Sequence, residues 1–148
     1  MGGGGCKQVL VCFVVVLMLL IPSSCGRKGA PFLPQEGTNA RVVNLRGAWQ
    51  EGYIDLTGSI RGVSDAESTV TGARVNYGIY PVDEAPCDGC PIDFTGFHTF
   101  GPEAVQEGRF FCRIPGVVKG NIYYFEVQLA GPKGGLGPVS DQVKVVVE

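Results

Sequence analysis

The sequence predicts an all-β fold, a seven-stranded antiparallel β-sandwich, for residues 38–148. From Ala40 onward, apolar and polar residues alternate with period two rather than with the 3.6-residue period of a helix. Turn signals recur about every ten residues, as in sandwiches of short strands. The chain has 23 Gly and 10 Pro and only 18% charged residues, which favours many turns over long helices. Its 148 residues suit a single domain.

The alternation divides the domain into strands separated by polar turns or turns rich in Gly and Pro. We expect strands over residues 41–49, 53–60, 73–81, 92–100, 108–114, 121–130 and 139–147. In the first strand, Val43 and Leu45 are expected on one face. In the sixth strand, the core-facing residues are expected to be Tyr123, Phe125, Val127 and Leu129. Gly47 and Gly96 are expected to weaken their strands.

Residues 114–140 resemble the fibronectin type III family. They contain Ile-Pro-Gly at 114–116, then Tyr123 and Val127, a Gly-rich turn, and Gly-Pro-Val-Ser at 137–140 before a Val-rich last strand. This order is similar to the family's L-x-P-G, Y-x-x-x-V and G-x-x-S motifs. The resemblance implies a fibronectin type III or immunoglobulin-like arrangement of strands for residues 38–148.

The same resemblance implies a role for Tyr123 as a buried structural residue. It stands at the position of the tyrosine corner, whose hydroxyl bonds back to the backbone upstream. The family also carries a core Trp on its second strand. Here Trp49 is the only Trp, and Gly58 or a neighbour stands at that position.

Residues 1–24 predict a signal peptide. The apolar run from Val9 to Ile21 is shorter than the roughly 20 residues that span a bilayer. Ser23, Ser24 and Cys25 follow, an order that resembles the lipobox of bacterial lipoproteins, although Pro22 replaces the family's usual Leu. The resemblance implies cleavage before Cys25 and a palmitate-type lipid on its thiol. An ordinary secretory signal and a permanent membrane anchor are the alternatives.

Residues 25–37 predict a flexible tether, because they contain several Gly and Pro residues and no periodic apolar pattern. Gly26 resembles the signal of lipoproteins sent to the outer membrane. Residues 25–34 also resemble the start of LptM (YifL)-type small lipoproteins, which read C-G-x-K-G-P. That resemblance implies a partner in the outer-membrane lipopolysaccharide translocon, whereas the simpler interpretation is a plain tether.

Cys87-Asp88-Gly89-Cys90 is the one motif that could carry chemistry. In an exported protein it predicts a local disulfide, since Asp-Gly forms a tight turn. Cys112 falls on the apolar face of its strand and is expected to be a small buried residue. The alternatives are a redox site at Cys87 and Cys90, disfavoured by nearby carboxylates that raise a thiol pKa, and a zinc site completed by Cys112 and His98. His98 taken alone is expected at the surface.

These features predict a membrane-anchored, non-catalytic module for protein binding or envelope assembly. A single His and scattered acids offer no catalytic motif, so we predict no enzyme activity, cofactor or metal. The net charge is −2 without a basic patch, so nucleic acid is not an expected partner. The expected partners are a membrane, through lipid on Cys25, and an envelope protein, at the periplasmic face of the outer membrane. The alternative is a small exported redox or zinc protein using Cys87 and Cys90.

We predict that the mature protein begins at an acylated Cys25. Intact mass spectrometry of membrane-extracted protein should show residues 25–148 plus two or three acyl chains. Cys25→Ser should abolish the acyl mass and release the protein from the membrane fraction, because a single residue bears the anchor. A Cys25→Ser chain that remains wholly in the membrane would contradict this assignment.

Overall fold

The computed structural model describes residues 37–62 and 70–148, so the predicted signal peptide, Cys25 and all but the last residue of the predicted tether lie outside the described residues. The described part contains eight strands: β1 (Arg41–Gln50), β2 (Tyr53–Arg61), β3 (Gly72–Pro81), β4 (Gly96–Phe100), β5 (Val105–Gln106), β6 (Arg109–Pro115), β7 (Asn121–Ala130) and β8 (Val143–Val147). Single 3₁₀ turns occur at Val82–Glu84 and Pro102–Ala104. None of the helical turns in this part of the chain approaches the length and apolarity needed to cross a membrane.

The strands form two antiparallel sheets of four, ordered β1-β2-β6-β5 and β4-β3-β7-β8. The predicted all-β sandwich is therefore confirmed, with one strand more than the seven expected. The additional strand, β5, is only two residues long and pairs with Arg109 and Phe110 of β6. Two residues are too few to show an alternation, so the sequence pattern does not reveal it.

The core consists of the inward side chains of both sheets. Along β7, Tyr123, Phe125, Val127 and Leu129 are all buried, as the alternation predicts. Facing residues of β2 and β6 are buried with them: Ile54, Leu56, Phe110, Cys112 and Ile114. Burying one face of each sheet against the other supplies the main stabilisation of a sandwich.

A β-bulge in β1 changes which side chains of this strand face the core, so the core-facing pair predicted for β1 is wrong. Asn44 has a φ of +54°, and the pairing with β2 shifts between Val43 and Arg46. The extra residue exchanges the two faces of the strand, so Val42 and Leu45 point into the core instead of Val43 and Leu45. Asn is among the residues that best tolerate this backbone region.

Gly58 occupies an inward position on β2, at or next to the place where the resemblance to fibronectin type III domains implies a Trp. A side chain there would collide with Val42, and the backbone of Val43 and Leu45 also lies beside it. On the other flank, Gly58 pairs with Phe110, which is buried. The bulged β1 therefore occupies the space beside Gly58.

β4 and β8 begin later than predicted, at Gly96 and Val143 rather than Ile92 and Val139. Before β8, the chain is held beside β7 by a side chain. The Val127 N–H donates to Ser140 Oγ and the Ser140 N–H donates to the Val127 carbonyl, both at 2.8 Å. These two hydrogen bonds hold Ser140 beside β7, and the β7–β8 ladder starts three residues after it, at Val143.

Gly47 and Gly96, expected to weaken their strands, are instead sites of close packing. A side chain at Gly47 would collide with Val145 of β8, and one at Gly96 with the ring of Tyr77. Gly is therefore needed at both positions to let the two sheets and the neighbouring strands approach.

The sandwich has two distinct ends. At the near end, Gly37 packs closely against the carbonyl of Leu136, so the chain enters there. The far end contains the β1–β2 turn, the end of β3, and the β6–β7 turn (residues 116–120). Two hydrogen bonds link these far-end segments, from Gly116 N–H to the Gly52 carbonyl (3.2 Å) and from Val82 N–H to the Gly120 carbonyl (3.1 Å).

Tyr123 anchors the β6–β7 turn. Its ring is buried in the core, and its hydroxyl accepts a hydrogen bond from the Val118 N–H, five residues upstream, at 2.9 Å. Gly120, with a φ of +79°, lies in the turn that leads directly into β7, and Gly116, with a φ of +75°, directly follows β6.

We predict that Tyr123→Phe lowers the free energy of unfolding by about 0.5–1.5 kcal/mol, the usual net contribution of one hydrogen bond. Urea denaturation measures this change. Tyr124→Phe is the matched control, because the Tyr124 hydroxyl makes no hydrogen bond to the described residues, although the ring is equally buried. Equal effects of the two substitutions would contradict the assigned role of Tyr123.

Candidate functional site

The loop between β3 and β4 carries the two predicted disulfide cysteines. The structure joins Cys87 to Cys90, with their Cα atoms 5.3 Å apart. The Cys90 N–H donates to the Cys87 carbonyl at 3.0 Å, and Gly89 has a φ of +81°. Asp-Gly thus forms the tight turn that the sequence indicates. Cys87 is exposed and Cys90 is half-buried, so the bridge is accessible from solvent.

The segment after the disulfide lies on the outer face of the second sheet. Gly78 of β3 has no side chain, and Ile92 and the carbonyl of Asp93 occupy the space beside it. The Asp93 N–H donates to the Tyr80 hydroxyl at 2.8 Å, and the Thr95 N–H donates to the Tyr77 carbonyl at 2.9 Å. These contacts hold the loop against the sheet on the side that leads into β4.

The charges around the bridge are unfavourable for thiol redox chemistry. Asp83, Glu84 and Asp88 are exposed on the same loop as the two cysteines. Carboxylates disfavour a thiolate, whereas redox cysteines are activated by cations or by a helix N-terminus. The chain continues from Cys90 into β4 rather than into a helix.

Cys112 lies in the core, as its position on the apolar face of β6 predicts, and it is a free thiol. Burial, together with the nearby charge of Asp55, raises its pKa from 9.0 to about 12. The folded protein therefore keeps this sulfur protonated and shielded from reagents.

The four candidate zinc ligands do not converge. Cys87 and Cys90 are bonded to each other, and Cys112 faces the core from the opposite sheet. His98 lies on the inward face of β4 and is half-buried. Its ring stacks on that of Tyr77, with the ring centroids 5.0 Å apart. The expectation that His98 lies at the surface is therefore wrong. Across residues 37–62 and 70–148, no three His, Cys, Asp or Glu side chains are grouped as a metal site.

An apolar surface at the far end was not predicted. Ile79, Val82 and Val118 are 41%, 47% and 61% exposed. They belong to the end of β3, the segment after it and the β6–β7 turn, which the hydrogen bond from Val82 to Gly120 joins. The feature of the sequence that could have indicated this surface is the presence of β-branched residues next to Pro-containing turns. A strand explains such residues equally well, so the surface could not be predicted from them.

The outer face of the first sheet carries a rigid polar group beside an aromatic residue. The Arg113 guanidinium donates to Asp55 through Nε (2.8 Å) and Nη2 (3.0 Å) and lies 3.9 Å from the centroid of the Tyr53 ring. On the same strand and face, Phe111 is 49% exposed. The first sheet therefore presents an aromatic side chain and an oriented guanidinium to solvent.

Solved structures match this arrangement of strands. The third fibronectin type III domain of human KIAA0343 protein aligns with 84% of this chain and 92% of its own, with a TM-score of 0.56 and 16% identity. The fold is a fibronectin type III-like β-sandwich. The FN1–FN3 domains of chicken CNTN1 align with 76% of this chain and 32% of theirs, with a TM-score of 0.49 and 12% identity. No protein-family model and no curated protein sequence matches the chain.

We predict that none of Cys87, Cys90 and Cys112 reacts with an alkylating agent near pH 8 in the native protein. Reductant alone should expose Cys87 and Cys90, because their bridge is accessible to solvent. Cys112 should react only after unfolding, because burial holds its pKa near 12. Mass mapping of alkylated peptides measures this order. A peptide linking Cys112 to Cys87 or Cys90, or stoichiometric zinc in the purified protein, would contradict it.

Proposed function

We propose that this chain is a membrane-anchored lipoprotein whose fibronectin type III-like sandwich is a non-catalytic module that binds an envelope protein. Lipid on Cys25 provides the anchor, residues 25–37 are the tether, and the far end of the sandwich is the binding surface. One observation carries the proposal. The chain enters at the near end, whereas Ile79, Val82 and Val118 are exposed together at the opposite end.

The three exposed far-end residues belong to neighbouring segments, because the Val82 N–H donates to the carbonyl of Gly120 in the β6–β7 turn. Single exposed apolar side chains are common and carry no meaning, whereas neighbouring ones mark candidate sites of association. Val82 and Val118 contribute little to the fold, since neither belongs to the buried core. Exposing these apolar side chains to water is unfavourable in free energy, and a binding partner would remove this penalty by burying them.

The tether limits the distance between the domain and the lipid. Thirteen residues extend to about 45 Å at most, so the near end would stay within that distance of the lipid. Arg27 and Lys28 closely follow Cys25 in the sequence and would add about 1 kcal/mol each of attraction to anionic headgroups. Together with Gly26, these features support the periplasmic face of an outer membrane as the location. The far end is the end of the domain opposite the point where the tether enters, which leaves it accessible to proteins of the envelope.

The alternative redox function has weaker support. Cys87 is accessible, as exchange with an external thiol requires, but the loop provides carboxylates where an activating cation is needed. A structural bridge that holds a binding loop needs no such activation, so the disulfide is consistent with the binding function.

Site-specific photocrosslinking tests the binding surface in cells that normally carry the protein. A benzophenone amino acid replaces Val118 at the far end and, in a matched chain, Leu136 at the near end. Leu136 is also apolar and 36% exposed. We expect one defined adduct from position 118 and none of that mass from position 136.

Val82→Glu in the chain with the crosslinker at 118 should abolish the adduct, because a carboxylate would be buried without a partner. Leu136→Glu should leave it unchanged, and both variants should unfold at the same urea concentration as the parent. Equal adducts from both positions, or an adduct that survives Val82→Glu, would contradict the far-end surface.

A further inference from the structure

β4 lies at an edge of the second sheet and pairs only with β3. The hydrogen bond from Val82 N–H to the Gly120 carbonyl (3.1 Å) continues the register of the β3–β7 ladder, so the even-numbered residues of β3 bond to β7. The odd-numbered residues of β3 bond to β4, and the Tyr77 carbonyl accordingly accepts from the Thr95 N–H (2.9 Å). Their partners in β4 are its even-numbered residues. The odd-numbered residues of β4 therefore direct their N–H and C=O groups to the outer edge.

This outer edge is open at Phe97 and Thr99. Among residues 37–62 and 70–148, the N–H and C=O groups of these two residues have no hydrogen-bond partner. After β4 the chain crosses to the other sheet, where Val105 and Gln106 pair with β6. The free groups of Phe97 and Thr99 thus form a short row that matches an extended polypeptide in spacing and polarity.

β4 also lacks the features that protect an exposed edge. Charged residues, Pro and bulges hinder the pairing of edge strands with other chains. β1 has the bulge at Asn44, β8 contains Lys144, and β5 is only two residues long. β4 reads Gly-Phe-His-Thr-Phe, without Lys, Arg, Asp, Glu or Pro. Among the described edge strands, it is therefore the one best suited to accept a further strand.

Arg74 favours an acidic residue in such a strand. Its guanidinium lies 3.9 Å from the centroid of the Phe97 ring, which is 55% exposed on the outer face of the sheet. The Arg74 side chain forms no hydrogen bond or ion pair with the described residues, and its Nε is buried. Arg74 pairs with Thr99, whose side chain is small. A Glu opposite Thr99 in an added strand would extend across it to the guanidinium.

A partly open cavity of about 210 Å³ lies on the inward side of the same edge. His98 and Tyr77 line it from the second sheet, and Ile114 and Pro115 line it from the first. Because side chains alternate, the residue opposite His98 in an added strand would face this cavity. The volume is below the roughly 300–1,000 Å³ of typical small-molecule sites, so it suits one apolar side chain better than a free ligand. Ile79 also lines the cavity and connects it to the far-end surface.

We propose that an extended acidic segment of the partner protein adds to the edge of β4, antiparallel to it, and extends the second sheet. An acidic residue opposite Thr99 pairs with Arg74, the next residue is apolar and enters the cavity opposite His98, and the one after packs on Phe97. This inference rests on the proposed protein-binding function and specifies the partner's segment. A second copy fits less well, because its own β4 would bring no carboxylate to Arg74.

The test supplies such a segment at high local concentration in the full chain, purified in detergent. The peptide Thr-Glu-Leu-Val-Thr is fused to Glu148 through a Gly-Ser linker of about thirty residues, with an average span of about 30 Å. The added strand would lie four strand spacings from β8, about 19 Å. It would begin beside Phe100, which is level with Leu129 of β7, about 26 Å along the sheet from the level of Asn121 and Val147. The linker therefore matches the distance, and the effective concentration is about 1 mM.

Amide hydrogen exchange, resolved by residue, is the measurement. In the parent chain we expect fast exchange at Phe97 and Thr99, and slow exchange at His98 and Phe100, whose N–H groups face β3. In the fusion, exchange at Phe97 and Thr99 should slow about tenfold, as for a segment that binds with a Kd of about 0.1 mM. Protection restricted to these alternating amides identifies strand pairing rather than general burial.

Matched fusions test each contact, and most vary only the peptide, so the folding of the domain is not at risk. Replacing the peptide's Glu by Gln should reduce the protection to about threefold. In an Arg74→Gln domain, which should unfold at the same urea concentration as the parent, the Glu and Gln peptides should protect equally, because the charge pair is already lost. Replacing the Leu by Ala should leave about twofold protection. Replacing the Val by Pro should abolish it, because Pro cannot donate to the Phe97 carbonyl.

Absence of protection in the fusion, protection of the β8 edge instead, or equal protection by the Glu and Gln peptides in the parent domain would overturn the proposal. So would protection of Phe97 and Thr99 in a parent chain that sediments as a dimer, because a second copy would then occupy the edge. Such a failure is distinct from that of the proposed function. Crosslinking at position 118 would persist if the protein binds its partner by another route.

Discussion

The structure depends on the burial of alternate side chains along β7 against the inward face of β2 and β6. Phe125, Val127 and Leu129 are fully buried, and Phe110 meets them from the other sheet. Among the described residues, this shared layer forms one continuous apolar core. The turns and edges are placed relative to it, and so are the surfaces that are free to bind.

The absence of a Trp on β2 shows how such a layer can be filled by backbone rearrangement. Gly58 leaves a space in β2, and the bulge at Asn44 turns Val42 and Leu45 toward it. Two smaller side chains and a shifted strand thereby replace one large ring. A sandwich can keep its packing density when the total volume and the inward pattern are preserved.

The cysteine loop and the far end combine rigid support with exposure. The loop is held by its bridge and by contacts of Ile92 and Asp93 around Gly78, while Tyr123 holds the β6–β7 turn through Val118. Loops presented by a rigid sheet lose little entropy on binding, which favours recognition by these segments.

The sequence by itself determined the fold class, the faces of β2, β6 and β7, the tight turn at Asp88-Gly89 and the burial of Cys112, because each follows from the period of two or from local turn chemistry. Tertiary structure alone decided the bulge at Asn44, the inward position of His98 and the brevity of β4 and β8. It also decided the packing roles of Gly47, Gly58 and Gly96. In all of these cases the outcome depends on which atoms lie across the strand or the sheet, such as Val145 beside Gly47 or Tyr77 beside Gly96. A pattern read along one chain carries no information about such neighbours until the two sheets are brought together.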